Sequence, residues 1–196
     1  MGVQSFMQVN SFVCEMLYKD VKNKLSANGN SVVIDAYSGA GLMTALLSKD
    51  VTRGIGIEIV KEAVELANQL AKENNLSHKI TNYNGKCEEL LPDIIQQEKK
   101  KNSHISLVLD PPRKGCDYAV LEAILKSDID RIVYVSCMPS TLARDVGLLV
   151  GTLENKDGQI VKSLENNGKY KIESITPFDM FPQTKHVETL VVLTRK

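Results

Sequence analysis

Ser31-Val-Val-Ile-Asp35-Ala-Tyr-Ser-Gly39-Ala-Gly41 is the stretch that decides the fold. Its opening run is apolar and β-branched, the pattern of a short strand buried on both faces. Gly39 and Gly41 follow at once, and Leu42 to Ser48 reads as a helix. A strand, a Gly-x-Gly turn and a helix make the first half of a nucleotide-binding βαβ unit, in which glycine lets the backbone pass close to a ligand. Alone, this signal is weak, because many tight turns between strand and helix bind nothing. The dinucleotide fingerprint would place a third Gly or Ala at position 44, which is Thr44.

The following strand strengthens the reading. Arg53-Gly-Ile-Gly-Ile-Glu58 ends in an acid about twenty residues after the glycines, where a carboxylate can accept hydrogen bonds from both hydroxyls of a ribose. The competing role for Glu58 is a capping or solvated acid, since a helix is expected from Ile59 to about Asn74. With both features on consecutive strands, an adenosine-type ligand is favoured. A missing third glycine and no second phosphate cradle favour S-adenosylmethionine over NAD.

Outward from this unit, strands are expected at 79–83, 105–110, 132–135, 170–176 and 187–194. An amphipathic helix starts at Ser11, with Phe12, Met16, Leu17 and Val21 roughly on one face. Further helices are expected at 88–97, interrupted early by Pro92, at 117–125, and at 141–150 with Ser140 or Thr141 as cap. Glu98 to Asn102 reads as a charged loop, and Asn155 to Gly158 as a turn before Ile160-Val161. Strands alternating with helices predict an α/β, Rossmann-like fold: a seven-stranded, mostly parallel sheet closed by a C-terminal antiparallel hairpin.

At 196 residues one domain is expected, running from 11 to 196, with 1–10 as the tail of a linker. The formal net charge is zero, so the chain lacks the basic signature of a protein that grips nucleic acid by charge alone. Cys14, Cys87, Cys116 and Cys137 form no Cys-x-x-Cys pair and keep no His-rich spacing, so neither zinc nor an iron–sulfur cluster is suggested. With no signal peptide and no long apolar span, neither secretion nor a membrane is indicated, and a reducing cytoplasm is the expected compartment.

The stretch Arg131-Ile-Val-Tyr-Val-Ser-Cys137-Met-Pro-Ser-Thr-Leu-Ala-Arg-Asp145 puts a cysteine between a strand end and a helix start. In an open α/β sheet ligands bind at that edge, and a helix N-terminus favours thiolate over thiol. Cys137 is thus a candidate nucleophile; a small buried hydrophobe is the plainer alternative. Asp110-Pro-Pro-Arg113-Lys114 leaves the neighbouring strand, and its prolines stiffen the exit and hold Asp110 and Arg113 at the same edge. Arg113 and Lys114 are candidates to meet RNA phosphate. His186 and Glu188 sit two apart at a strand start, so they share a face. By spacing alone, a solvent-facing polar pair is the preferred reading of those two.

From Phe6 onward the sequence resembles the catalytic domain of the RNA uracil-C5 methyltransferase family, the enzymes that make 5-methyluridine in ribosomal and transfer RNA. The match rests on Phe6-Met-Gln-Val-Asn10, Ser38-Gly-Ala-Gly41, Asp110-Pro-Pro-Arg113, Val133-Tyr-Val-Ser-Cys137 with Pro139 and Thr141-Leu-Ala-Arg-Asp145, and Asp179-Met-Phe-Pro182 with His186-Val-Glu188. The resemblance implies a class I S-adenosylmethionine-dependent methyltransferase, with Cys137 as nucleophile and Glu188 as base. It places Gln8, Tyr37, Gly39, Gly41, Leu42, Glu58 and Asp110 at the cofactor, and Arg113, Lys114 and His186 on the substrate side. It implies RNA as partner, ribosomal (23S) in preference to transfer RNA, and no metal in this domain.

Three positions depart from the family pattern. Met138 stands where Asn is usual, Leu42 where a polar residue is frequent, and Lys86-Cys87 where an Asn or Asp often faces the adenine. Family members usually carry an N-terminal RNA-binding half that is not recognisable here, so the chain reads as a catalytic domain cut from a longer protein, with weak RNA affinity of its own. The rival readings are a methyltransferase acting on cytosine C5 or a guanine amino group, and a non-catalytic domain that binds RNA or cofactor.

Overall fold

In the strand Ser31–Asp35, Val32 and Ile34 pack into one apolar cluster and Val33 into another, and every residue of the strand is buried. That alternation, buried on both sides, is what a strand shows when helices cover both faces of its sheet. The computed structural model describes residues 10–27, 29–101, 104–165, 167–184 and 186–196. In chain order the elements are α1 (Ser11–Leu25), β1 (Ser31–Asp35), α2 (Leu42–Ser48), β2 (Arg53–Glu58), α3 (Lys61–Glu73), β3 (Ile80–Asn84), α4 (Cys87–Lys100) and β4 (His104–Leu109). After them come α5 (Tyr118–Lys126), β5 (Arg131–Ser136), α6 (Pro139–Val150), β6 (Leu153–Lys156), β7 (Gln159–Lys162), β8 (Tyr170–Phe178) and β9 (Glu188–Arg195).

Seven strands form one sheet in the order β3-β2-β1-β4-β5-β9-β8. β1 to β5 are parallel, and β9 lies antiparallel between β5 and β8. This is the expected Rossmann-like α/β sheet with its C-terminal antiparallel hairpin. The strand order reverses between β1 and β4, the switch point beyond which ligands bind in such sheets. On one face, Leu91 and Ile95 of α4, Val120 and Ile124 of α5, and Leu142 and Leu149 of α6 pack on Ile34, Leu107, Ile132 and Leu193. On the other, Leu17, Val21 and Leu25 of α1 and Leu47 of α2 pack on Val33, Val108, Val133 and Val192.

Several expectations are corrected. The buried stripe of α1 is Leu17, Val21 and Leu25, while Phe12 and Met16 are exposed. Pro92 does not interrupt α4, which runs unbroken from Cys87 to Lys100. The ring faces solvent, and burial of Leu91, Ile94 and Ile95 outweighs the one backbone donor that proline removes. The charged stretch at 98–100 is the end of that helix. Glu98 is buried and its Oε1 accepts from Arg53 Nη1 at 3.0 Å and Lys101 Nζ at 2.8 Å. Neither Ser140 nor Thr141 caps α6. It begins at Pro139, whose missing N–H is harmless at the first helical position. The turn at 155–158 joins β6 and β7 into a separate two-stranded sheet, of which the sequence signalled only the second strand.

Candidate active site

The turn after β1 is built around two glycines with different tasks. Gly41 has φ +79°, and a Cβ there would lie 2.6 Å from the Cβ of Ala67, so its bareness lets α2 pack against α3. Gly39 has φ +51° and no protein atom within 4 Å of an added Cβ. Its bareness serves the space outside the chain. The Gly39 N–H donates to Glu58 Oε2 at 3.0 Å, and the Val60 N–H to Glu58 Oε1 at 2.8 Å. Glu58 thus braces the two turns without capping α3, whose N-cap is Val60 with no side-chain bond, and each carboxylate oxygen keeps a spare lone pair for a ligand hydroxyl. Ile59 and Val60, just beyond, leave apolar surface exposed.

Beneath the turn lies Asp35, a carboxylate that the sequence reading passed over. Burial pushes its pKa up to about 6, although the Thr44 hydroxyl donates to its Oδ2 at 2.7 Å. Thr44, the residue that breaks the dinucleotide fingerprint, thus has a definite occupation. Tyr37 is half-buried and directs its hydroxyl toward Cys87 and Cys116; desolvation raises its pKa. Leu42 opens α2 with its side chain exposed, and being apolar it can offer a ligand hydrogen bonds only from its backbone. Gln8 lies outside the described residues, as do the other residues of the 1–10 segment except Asn10, which caps α1.

The candidates of the second group meet at the carboxyl edge of β4 and β5. The β5–β9 ladder ends at Ser136 paired with Thr189, so Cys137 and Glu188 each lie one residue beyond that last rung, at the same edge, and the Glu188 charge acts on the Cys137 sulfur. Only an antiparallel strand brings its first residue to the edge where parallel neighbours end. Glu188 is only 4 % exposed, so the solvent-facing reading fails for it. It is sealed from solvent yet lies near the rim, and desolvation raises its pKa while Arg113 pulls it back. Asp110 is the reverse case. Its surface is open, but protein crowds the carboxyl, and desolvation followed by the charges of Glu188 and Asp35 raises its pKa.

Cys137 is half-buried on a turn held by the Met138 N–H, which donates to Ser136 Oγ at 3.1 Å. Its pKa is raised, first by burial and then by the charge of Glu188, and Arg113 acts in the opposite direction. The expectation that the helix start would leave the sulfur with a lowered pKa is thus corrected. Desolvation and a neighbouring carboxylate outweigh the cationic help. Lys114 is exposed on the same loop as Arg113. His186 turns aside, edge-on to the Phe181 ring at 6.5 Å between centroids.

The electrostatics of this edge discriminate between ligands. Asp35 senses Glu58, and Asp110 senses both Asp35 and Glu188. Where these carboxylates are ionised they repel a pyrophosphate and attract a sulfonium cation, and burial, which pushes Asp35 up to about 6 and Asp110 up to about 7, thins that charge near neutral pH. Open space over Gly39, a ribose acceptor in Glu58 and the acidic row together fit S-adenosylmethionine. Among the described residues, no group of three or more His, Cys, Asp or Glu is arranged to hold a metal ion.

The sheet order, the glycine turn and the acid ending β2 define the class of Rossmann-like methyltransferases that use S-adenosylmethionine. The family model described as tRNA (Uracil-5-)-methyltransferase matches residues 2–196, and the chain belongs to that family. It is 38% identical over 194 residues to an uncharacterised RNA methyltransferase of Enterococcus faecalis, covering 99% of this chain and 38% of the relative. It is 40% identical over 190 residues to one of Clostridium tetani, covering 97% and 37%. Among solved structures it resembles the Pyrococcus abyssi tRNA (uracil-54, C5)-methyltransferase in complex with S-adenosyl-L-homocysteine, with TM-score 0.70 and 25% identity, covering 97% of this chain and 40% of that one. A Streptococcus thermophilus rRNA methylase shares the fold at TM-score 0.64 and 13% identity, covering 93% and 95%. The chain spans only about 38% of the length of the first of these curated relatives.

Proposed function

We propose that this chain is the catalytic domain of an enzyme that methylates C5 of a uridine in RNA, through a covalent bond between Cys137 and C6 of the base. The observation that carries this reading is that Cys137 and Glu188 both follow directly on the Ser136–Thr189 pair at the sheet edge, where Glu188 acts on the sulfur and Arg113 on both. C5 of uracil is a poor carbon nucleophile. Addition of the Cys137 thiolate to C6 moves the C5–C6 electron pair into an enolate, and C5 becomes able to form a bond to carbon. Bound S-adenosylmethionine would supply the methyl group at that point, its methyl–sulfur bond breaking to leave S-adenosylhomocysteine. Glu188 then takes the proton from C5, the double bond re-forms, and the sulfur is expelled from C6.

In this reading Arg113 favours the thiolate and answers the enolate's charge, while Lys114 and His186 lie toward the RNA. Gln8, Tyr37, Gly39, Gly41, Leu42, Glu58 and Asp110 hold the cofactor. The base must leave its stack to present both faces. The sequence resemblance favours 23S ribosomal RNA over transfer RNA, and the Pyrococcus relative, by its name, modifies transfer RNA. The zero net charge supports weak RNA affinity for this segment alone.

The test is to incubate the chain with methyl-labelled S-adenosylmethionine and, separately, 23S rRNA and tRNA transcripts, then to separate the nucleosides. Label in 5-methyluridine, lost in Cys137→Ala, is the expected result. Label in 5-methylcytidine or a methylguanosine, or label that survives the substitution, would overturn the proposal.

A further inference from the structure

The run Thr141-Leu-Ala-Arg-Asp145, one helical turn past the nucleophile, has so far been given no task. Its three polar side chains all reach the loop that carries Arg113. Thr141 Oγ1 lies 3.0 Å from the Arg113 carbonyl oxygen and 3.2 Å from that of Met138, the N-cap of its own helix, so one hydroxyl sits between the start of α6 and the loop. Arg144 Nη2 donates to the carbonyls of Lys114 at 3.1 Å and Cys116 at 3.2 Å. Fully buried Asp145 accepts from the Cys116 N–H at 2.8 Å and the Tyr134 hydroxyl at 2.6 Å, and is gripped by Arg144 Nε at 2.7 Å. The fit is tight: Gly115 has φ +78°, and a Cβ there would lie 2.6 Å from both Arg144 Nη2 and Asp145 Oδ2.

We propose that Thr141, Arg144 and Asp145 are positioning residues, which clamp the 113–116 loop to α6 and so keep the Arg113 guanidinium beside the Cys137 sulfur. The inference rests on the reading of Cys137 as the nucleophile. α6 begins two residues after Cys137, so one rigid element fixes both partners. The charged groups acting on the sulfur are Glu188 from β9 and Arg113 from the loop. Letting the loop drift removes the favourable partner and leaves the unfavourable one. The thiolate then becomes rarer with no change in Cys137 itself.

The measurement is the pH profile of Cys137 alkylation by iodoacetamide, followed peptide by peptide so that Cys14 is scored apart, with no RNA or cofactor present. Thr141→Val should move the midpoint upward and slow alkylation at pH 7.5 by roughly three- to tenfold, the range for a shift of up to one pKa unit. Thr141→Ser should restore the wild-type profile. Arg113→Ala should show the full shift, and Arg113→Ala with Thr141→Val no further shift. Arg144→Lys provides an independent break of the clamp and should shift the profile in the same direction. Thermal melts establish that each variant is folded. A wild-type profile in Thr141→Val and Arg144→Lys, beside a shifted Arg113→Ala, overturns the clamp and leaves the proposed chemistry standing. Additive shifts in the double variant also overturn it. An unshifted Arg113→Ala overturns the clamp together with the part given to Arg113 at the sulfur.

Discussion

Substituting alanine at Gly39 and at Gly41 should have different consequences, chiefly for ligand binding at the first and for stability at the second, although the two glycines are only two residues apart. At Gly41 two penalties add. A non-glycine residue at φ +79° is strained by about 1–2 kcal/mol, and a methyl 2.6 Å from the Cβ of Ala67 overpacks the α2–α3 contact by about 1–3 kcal/mol. Because these helices can shift slightly, the sum expected is about 2–4 kcal/mol, or a fall in melting temperature of roughly 4–16 °C for a domain of this size. At Gly39 only the conformational strain applies, about 1 kcal/mol, since nothing in the protein lies near the added methyl. That methyl instead enters the space over the turn. If the cofactor lies there, the same overpacking weakens binding by about 1–3 kcal/mol, roughly five- to 150-fold. Calorimetric titration with S-adenosylhomocysteine, beside thermal melts, measures both quantities on both variants. Gly39→Ala binding as tightly as wild type, or Gly41→Ala melting with wild type, would refute the division of labour.

Three further predictions follow from buried groups. Asp35 holds its proton in the fold up to about pH 6, against 3.8 when unperturbed, so between those values the folded state binds more protons than the unfolded chain. Its contribution to stability therefore falls as pH rises from about 4 to 6, by on the order of 2–3 kcal/mol, and urea melts of Asp35→Asn should lack that slope. Asp145→Asn leaves the Arg144 guanidinium, itself 36% exposed, without its carboxylate and should cost about 1–3 kcal/mol in urea unfolding, less than a fully buried pair because solvent screens the arginine. Glu188→Gln removes the negative charge that raises the Cys137 pKa. Alkylation of the sulfur should therefore speed up at neutral pH, while turnover stops at the step that needs a base. Equal or slower alkylation would contradict the assigned coupling.

Much of the fold was legible because a parallel sheet covered on both faces writes its strands as apolar runs. β1, β2, β4 and β5 stand out in this way, and the glycines mark the turn between β1 and α2. The errors fall where packing overrides local rules. Phe12, Met16, Leu17 and Val21 satisfy a helical stripe, but the docked stripe is rotated to Leu17, Val21 and Leu25. Pro92 and the lysines after Glu98 look like breakers, and the buried face of α4 carries the helix past them. The placement of Cys137 and Arg113 at one sheet edge was legible from the strands they follow. The burial of Glu188 was not, because it depends on the register of β9 against β5, a non-local fact. Asp145 did leave a trace. It occupies the second place in the otherwise apolar series Leu142, Asp145, Val146, Leu149, where a charge predicts a buried partner. That the partner is a loop some thirty residues earlier in the chain was beyond periodicity to say.

The covalent chemistry can be tested most directly with a short RNA carrying 5-fluorouridine, incubated with the chain and S-adenosylmethionine. Fluorine cannot leave C5 as a cation, so Glu188 has no proton to take and the sulfur cannot be expelled. A protein–RNA adduct that survives denaturation, maps to Cys137 and contains one transferred methyl group is the predicted result. Methyl transfer to unmodified RNA under the same conditions, with no such adduct on the fluorinated one, would contradict it.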